Sequence, residues 1–273
     1  MIQLQLETTS TCNAACTFCP YPTAGRHGGL MTTELFSKII DEAISIPTIT
    51  EVCLTGLGEP TLDPRLVDRV KYIHSRKESL PISIFTNGVY LHPHLFDRLA
   101  NSGMTHCVIS LNAVRPEQHE SIMGLKGKFN TVCNNTDYAI EYGSGVSVEV
   151  HAVLCEDKWT FGDVETFYAR WGHRNRGGNG VLVYEGNWAG GTRTVRPIPP
   201  NECCYRALSQ IYVMFDGKIS TCCFDPTGKQ VFGDLTTESL REAYASASYL
   251  KFREMHSQNK ADAYSICKTC TRI

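Results

Sequence analysis

The chain has 273 residues, 42% hydrophobic and 20% charged, with a formal net charge of −2, which allows one large core, or one large and one small, and gives no charge bias toward nucleic acid or an anionic membrane. Its 13 cysteines are an odd number, so a disulfide framework cannot use them all, and their clustering at 12–19 and 203–270 points to metal binding. No apolar run approaches the ~20 residues that span a bilayer, and the N-terminus has neither the basic nor the apolar segment of a signal peptide, so a soluble, cytoplasmic protein is expected.

Residues 2–7 read as a strand that runs into the first cysteine cluster. Residues 32–45 open on a threonine cap and carry Leu35, Ile39, Ile40 and Ala43 at helical spacing. Strand and helix then alternate. Strands are predicted at 51–55, 82–86, 106–111, 146–154 and 180–185, and helices at 63–77, 94–102, around 129–142 and 162–171. The strands are apolar and β-branched, as in a parallel sheet covered by helices. Six such units imply an α/β fold, open sheet or barrel, with its chemistry on the loops at the C-terminal strand ends. After residue 186 the pattern changes. Residues 187–201 are rich in Pro and Gly and read as a linker. An apolar run at 211–215, an Asp216-Gly217 turn and a second run at 218–221 form a hairpin. A helix at 239–255 follows. Cys53, Cys107, Cys133 and Cys155 stand singly and read as small buried hydrophobes.

Cys12, Cys16 and Cys19 place three thiols within eight residues, directly after a strand. Three cysteines on one loop can ligate three corners of a cubane cluster and leave the fourth iron open. A structural zinc site is the alternative, but it takes four closed ligands, and no further Cys or His follows until His27.

The Cys-x3-Cys-x2-Cys spacing, with Phe18 just before the last cysteine, resembles the signature of the radical S-adenosylmethionine (SAM) superfamily. The resemblance implies a partial (β/α)6 barrel over about residues 2–185. It also implies a [4Fe–4S] cluster whose open iron chelates SAM, and reductive cleavage of SAM to a 5′-deoxyadenosyl radical that abstracts hydrogen. Phe18 would then pack beside the adenine. Gly56-Leu57-Gly58-Glu59-Pro60 is similar to the family's GGEP-type motif, departing at Leu57; glycines there let backbone approach the ligand, and carbonyls can accept from the SAM ammonium. Thr86 and Asn87 end the third strand, where the family carries polar contacts to SAM. Ser110 and Asn112 end the fourth and resemble its ribose-binding positions.

Cys203-Cys204, Cys222-Cys223 and Cys267-x2-Cys270 form a second constellation. Cys204, Cys222, Cys267 and Cys270 close one site of four soft ligands. A zinc ribbon is the alternative. The stretch resembles the SPASM/twitch extensions of radical SAM proteins, which hold auxiliary [4Fe–4S] clusters. Its Cys-x17-Cys-x44-Cys-x2-Cys spacing resembles that of the 2-deoxy-scyllo-inosamine dehydrogenase family. One fully ligated cluster, hence the smaller twitch form, is expected. The domains would be a barrel at 1–186 and a twitch domain at 187–273. Either member of each doublet can be the ligand. Cys223 has two readings, a spare buried thiol or a hydrogen donor of the kind radical SAM epimerases use.

The motif's early position and the twitch form suit a small polar substrate, of sugar or aminocyclitol type. Candidate residues are Glu149 and His151, which share a strand face with Ser147 and Val153, then Glu185, Trp188, Arg193, Arg196 and Asp225. Hydrogen removal from a carbon bearing OH, followed by electron transfer to the auxiliary cluster, gives a ketone, with a carboxylate, His or Arg as base. The same removal followed by thiol donation inverts the centre. The cluster would draw electrons from a donor such as flavodoxin or ferredoxin. Modification of a ribosomal peptide or protein side chain, and a non-catalytic metal-binding module, are the competing readings.

Overall fold

The computed structural model describes residues 1–143, 145–155, 158–172, 204–225, 227–268 and 270, together with the backbone of 181–184. Strand and helix alternate as the apolar periodicity predicts: β1 (Ile2–Leu6), α1 (Thr33–Ala43), β2 (Ile49–Leu54), α2 (Leu66–Arg76), β3 (Ile82–Thr86), α3 (Pro93–Asn101), β4 (His106–Ser110). Then follow α4 (Pro116–Met123), α5 (Phe129–Tyr142), β5 (Ser147–Val153), α6 (Phe161–Trp171) and β6 (Val181–Tyr184). The C-terminal part holds α7 (Tyr205–Ser209), β7 (Gln210–Val213), β8 (Lys218–Ser220), β9 (Val231–Asp234), α8 (Leu240–Tyr244), α9 (Ala247–Ser257) and α10 (Ser265–Lys268).

Capping fixes the ends. Thr32 Oγ1 accepts from Leu35 N at 3.2 Å, satisfying a first-turn donor of α1. Thr160 and Asp163 form a capping box on α6. The predicted helix at 239–255 is two helices, because Ser239 caps α8 and Ser246 caps α9 by accepting from Tyr249 N. Helix α4 was not expected. It is short, opens on Pro116 and stops at Gly124, a pairing that marks helix ends but carries too few apolar residues to show a period.

The nine strands of the described residues form one sheet, in the order β6-β5-β4-β3-β2-β1-β7-β8-β9. Strands β1 to β6 are parallel and make a partial (β/α)6 barrel. Strand β7 lies parallel to β1, with Leu4 opposite Ile211, and β8 and β9 continue antiparallel. The sheet therefore runs unbroken from the barrel into the C-terminal hairpin.

The two faces differ. Leu4, Leu6, Val52, Leu54, Ile82, Ile84, Ile109, Val148 and Val150 are buried in the core with the helices, together with Cys107 and Cys133. The opposite face carries Gln5, Glu51, Ser83, His106, Ser110, Glu149 and His151, as the two-residue period of each strand requires. Cys53 is buried, as expected of a lone cysteine, and lies on this opposite face, level with Gln5 and Ser83. Parallel sheets usually bury apolar residues on both faces. This inner face is mixed instead, with Phe85 and Val108 among its polar residues, and offers donors and acceptors to a ligand.

Candidate active site

The first cysteine loop leaves β1 and returns before α1. Its stem is closed by Ser10 N to Gly29 O at 2.9 Å and Met31 N to Thr8 O at 2.9 Å. Inside the loop, Cys12 N donates to Tyr21 Oη at 3.0 Å, and Cys19 N to Cys16 O at 3.0 Å. The end of α4 holds the far side: Ala15 N donates to Met123 O and Thr17 N to Ile122 O, while Cys16 Sγ stands 3.4 Å from Met123 Sδ. Phe18 is half-buried against the core. Cys155 departs from the expected core position. It is half-buried beside this loop, its Sγ 4.0 Å from Thr17 Oγ1.

Burial pushes the Cys12 thiol up to about 12 and the Cys19 thiol up to about 11, and drives Cys16 well above the ordinary thiol range. The charges of neighbouring cysteines add to the effect on Cys12 and Cys16. Three half-buried thiols whose charged forms repel one another suit a cationic group that displaces their protons, as iron does. Among the described residues no three of His, Cys, Asp and Glu converge as ligands of a single ion. A cubane takes each cysteine at a different iron, so thiols spread around one loop fit its corners.

The Gly56–Glu59 loop packs directly on this cysteine loop. A Cβ at Gly58 would stand 2.2 Å from Thr9 O, and one at Gly56 2.5 Å from the Glu7 side chain. These glycines thus serve close backbone approach to the strand end and the cysteine loop. Glu59 N donates to Thr11 O at 2.8 Å. The Glu59 carboxylate is buried and accepts from Thr61 Oγ1 at 2.6 Å, Thr86 Oγ1 at 2.6 Å and Asn87 N at 2.7 Å. Burial raises its pKa in spite of those donors. Asn87 Nδ2 then donates to Asn13 Oδ1 at 2.7 Å, so Glu59, Thr86, Asn87 and the cysteine loop form one hydrogen-bonded unit. Asn112 takes a left-handed backbone, φ 58, which Asn tolerates better than most residues. Its side chain accepts from Val153 N at 2.8 Å and bridges β4 to β5. Ser110 ends β4 opposite His151.

Glu7 was not singled out from sequence, yet it joins three parts of the site. Its side chain is fully buried and paired with Arg26. It also accepts from Tyr212 Oη at 2.8 Å, Leu57 N at 2.9 Å and Phe215 N at 3.3 Å. The available signal was an acidic residue closing a buried strand just before the cysteines.

Across the inner face, Glu149 Oε2 stands 2.7 Å from His151 Nε2, and Oε1 3.1 Å from His106 Nε2. Burial pulls the His151 imidazole below its ordinary pKa, against Glu149, which favours its charge. The pair can hold and pass one proton. Glu185, Trp188, Arg193, Arg196 and Cys203 lie outside the described residues.

The second cysteine site is a cavity of about 390 Å³, counted to its open mouth, on whose wall Cys204, Cys222, Cys267 and Cys270 come together. Folding alone unites them, since they come from the start of α7, the loop after β8, and α10 with the chain just beyond it. Four soft ligands set among Ala207, Phe224, Phe252 and Ile266, with Arg206 and His256 beside them, fit a closed iron–sulfur cluster. Cys223 does not line the cavity. Burial raises its pKa, against the charge of Arg206, which lowers it. Asp225, expected near substrate, is instead fully buried and spent within its own loop. It accepts from Ser220 Oγ at 2.8 Å, Lys229 N at 3.0 Å and Gln230 N at 3.1 Å. Among the described residues no helix is long and apolar enough to cross a membrane.

Residues 6–167, more than half the chain, match the profile of the radical SAM superfamily, and residues 203–271 that of an iron–sulfur cluster-binding domain. Among curated relatives, a cofactor-modifying protein for tungsten-containing aldehyde ferredoxin oxidoreductase from Pyrococcus furiosus is 34% identical over 45% of this chain and 34% of its own. A PqqA peptide cyclase from Ruegeria pomeroyi is 32% identical over 47% and 33%, and a GTP 3′,8-cyclase from Sulfurovum sp. 29% over 54% and 45%. The chain thus matches less than half the length of these relatives. Of solved structures, BtrN in complex with AdoMet and 2-DOIA superposes with a TM-score of 0.69 at 18% identity, covering 99% of this chain and 93% of that one. SuiB from Streptococcus suis bound to precursor peptide SuiA gives 0.73 at 15%, covering 92% and 66%. At such identities these structures report the shared fold.

Proposed function

Because the chain belongs to the radical SAM superfamily, we propose that it cleaves SAM reductively and abstracts hydrogen from a small polar substrate of sugar or aminocyclitol type, leading to oxidation or epimerisation. Its cofactors are SAM, the [4Fe–4S] cluster that binds SAM, and an auxiliary iron–sulfur cluster. When bound, SAM and its cluster supply a 5′-deoxyadenosyl radical. In this reading Cys12, Cys16 and Cys19 hold the first cluster, in a barrel part at 1–186. Cys204, Cys222, Cys267 and Cys270 hold the second, in an auxiliary part at 187–273. Phe18, Gly56, Gly58, Glu59, Thr86, Asn87, Ser110 and Asn112 shape the SAM pocket. For Glu59 that action is indirect, through Thr86 and Asn87. A flavodoxin or ferredoxin is the proposed electron donor.

The observation that carries the substrate class is the polar pair on the inner face. Glu149 and His151 stand in hydrogen-bond contact on the sheet face away from the helices. A hydroxyl-rich substrate finds donors and acceptors there, and the pair can take the hydroxyl proton. Cys223 supports the epimerase arm, since it lies off the cavity that Cys204, Cys222, Cys267 and Cys270 line, which leaves its thiol unspent on ligation. A peptide substrate is the competing reading, since SuiB is named with its precursor peptide.

The test is anaerobic turnover of the reduced enzyme with candidate polyols and aminocyclitols in D2O, followed by mass spectrometry. A product lighter by two hydrogens marks oxidation. A product that gains one deuterium at carbon marks return of a thiol hydrogen. Turnover of a precursor peptide with no small-molecule product would overturn the substrate class.

A further inference from the structure

Among the described residues on the wall of the second cysteine cavity is a fixed cation, Arg206. Its guanidinium carbon lies 4.8 Å from the centroid of the Tyr205 ring and 4.7 Å from that of Phe224, and Nη1 donates to Tyr205 Oη. Tyr205 directly follows Cys204, and Phe224 directly follows the Cys222-Cys223 doublet. The two rings that hold the guanidinium are thus carried by two of the cysteine-bearing segments. Rings at such distances attract a guanidinium through the negative charge of their faces. Arg206 Nε is buried and has no hydrogen-bond partner among the described residues. Leaving such a donor unpaired is costly, more so on a charged group, and the neighbouring cavity is where sulfur acceptors gather when a cluster is bound.

We propose that Arg206 tunes the auxiliary cluster, donating from Nε to a cluster or cysteine sulfur and favouring the reduced state with its charge. The inference rests on reading this cavity as an iron–sulfur site. One added electron makes a thiolate-bound cubane one charge more negative, and a nearby cation stabilises the more negative state more. Net charge and hydrogen bonds to sulfur are the levers that set such potentials. Burial in a low-dielectric wall makes both levers stronger than they are in water.

The test is an anaerobic redox titration of the reconstituted holoenzyme followed by EPR. The auxiliary cluster is the component whose spectrum SAM does not shift. In Arg206→Gln, which keeps an N–H donor and loses the charge, its reduced-to-oxidised ratio at fixed potential should fall at least tenfold, or about 59 mV for one electron. The SAM-sensitive component should keep its own potential. Arg206→Lys should fall between variant and wild type, and Phe224→Leu, which removes one ring and leaves the charge, should shift the same way by less. An unchanged ratio in Arg206→Gln overturns the proposal. If that variant does not load the cluster, the lack of any negative shift in both Arg206→Lys and Phe224→Leu overturns it. Iron and sulfide for one cubane only in the wild type overturns both the proposal and the reading beneath it, and shows before any titration.

Discussion

Glu7→Gln should destabilise the protein more than any exposed substitution, because the Glu7 carboxylate is shared by four donors. Two are backbone groups, Leu57 N at 2.9 Å and Phe215 N at 3.3 Å. The others are Arg26 and the Tyr212 hydroxyl at 2.8 Å. Glutamine offers one acceptor oxygen in place of two. Tyr212 can turn its hydroxyl to accept from the new amide, but the backbone donors cannot. Whichever way the amide sits, at least one buried N–H loses its partner, at about 1–3 kcal/mol, and the Arg26 charge loses its counter-ion. Removing one member of a buried pair costs about 3–5 kcal/mol. Arg26 is slightly exposed, 16% against 0% for Glu7, which favours the lower end, about 3 kcal/mol. For a chain near this size that lowers the melting midpoint by about 6–12 °C. The assay is anaerobic thermal melting of the cluster-loaded protein, run beside Arg26→Met and the double variant. The double variant should lose clearly less than the sum of the singles, since they share one interaction. A Glu7→Gln midpoint within about 2 °C of wild type would refute the reasoning.

Gly58→Ala should drive the cysteine loop away from its seat, because the new methyl group would meet Thr9 O at 2.2 Å; iron should fall by about half and 5′-deoxyadenosine formation should stop, whereas full iron with wild-type cleavage would contradict the packing argument. Cys222→Ala should lose the auxiliary cluster, while Cys223→Ala should keep both clusters by EPR and lose only product; the opposite pattern would exchange the doublet's roles. His119 is fully buried, and burial lowers its pKa. The native state therefore refuses a proton that the unfolded chain accepts near its ordinary value. This stabilising contribution is full above about pH 6.5 and is lost as pH falls through and below it, by at most about 1.4 kcal/mol per pH unit. His119→Leu should flatten the decline in urea midpoint between about pH 6.5 and 5, and parallel curves for variant and wild type would show that His119 is not its source.

The cysteine loop and the strand–helix alternation were legible because both are local. Three thiols within eight residues, and an apolar residue every second or every third-to-fourth position, need no knowledge of distant segments. The partners of Glu7 were not legible, since Tyr212 and Phe215 reach it only after β7 docks on β1. The face on which Cys53 lies depends on sheet register, and a single residue looks the same from either side. Asp225 had the composition of a catalytic carboxylate and the geometry of a loop brace, a distinction made by neighbours four and five residues on. Helix α4 escaped because its ends carried more information than its middle.

The β1–β7 pairing also bears on synthesis. Leu6 and its partner Val213 are joined across the sheet, yet the ribosome makes them about 200 residues apart, which at 5–20 residues per second is roughly 10–40 s. Throughout that interval β1 can pair with β2 on one side only, and its other edge presents unpaired N–H and C=O groups to any strand that arrives. The entropy of closing so long a loop grows only with the logarithm of its length, so the delay is one of order of appearance and not of affinity. A chain truncated before Gln210 never covers that edge, and should aggregate through β1 even though every residue of the first cysteine loop is present.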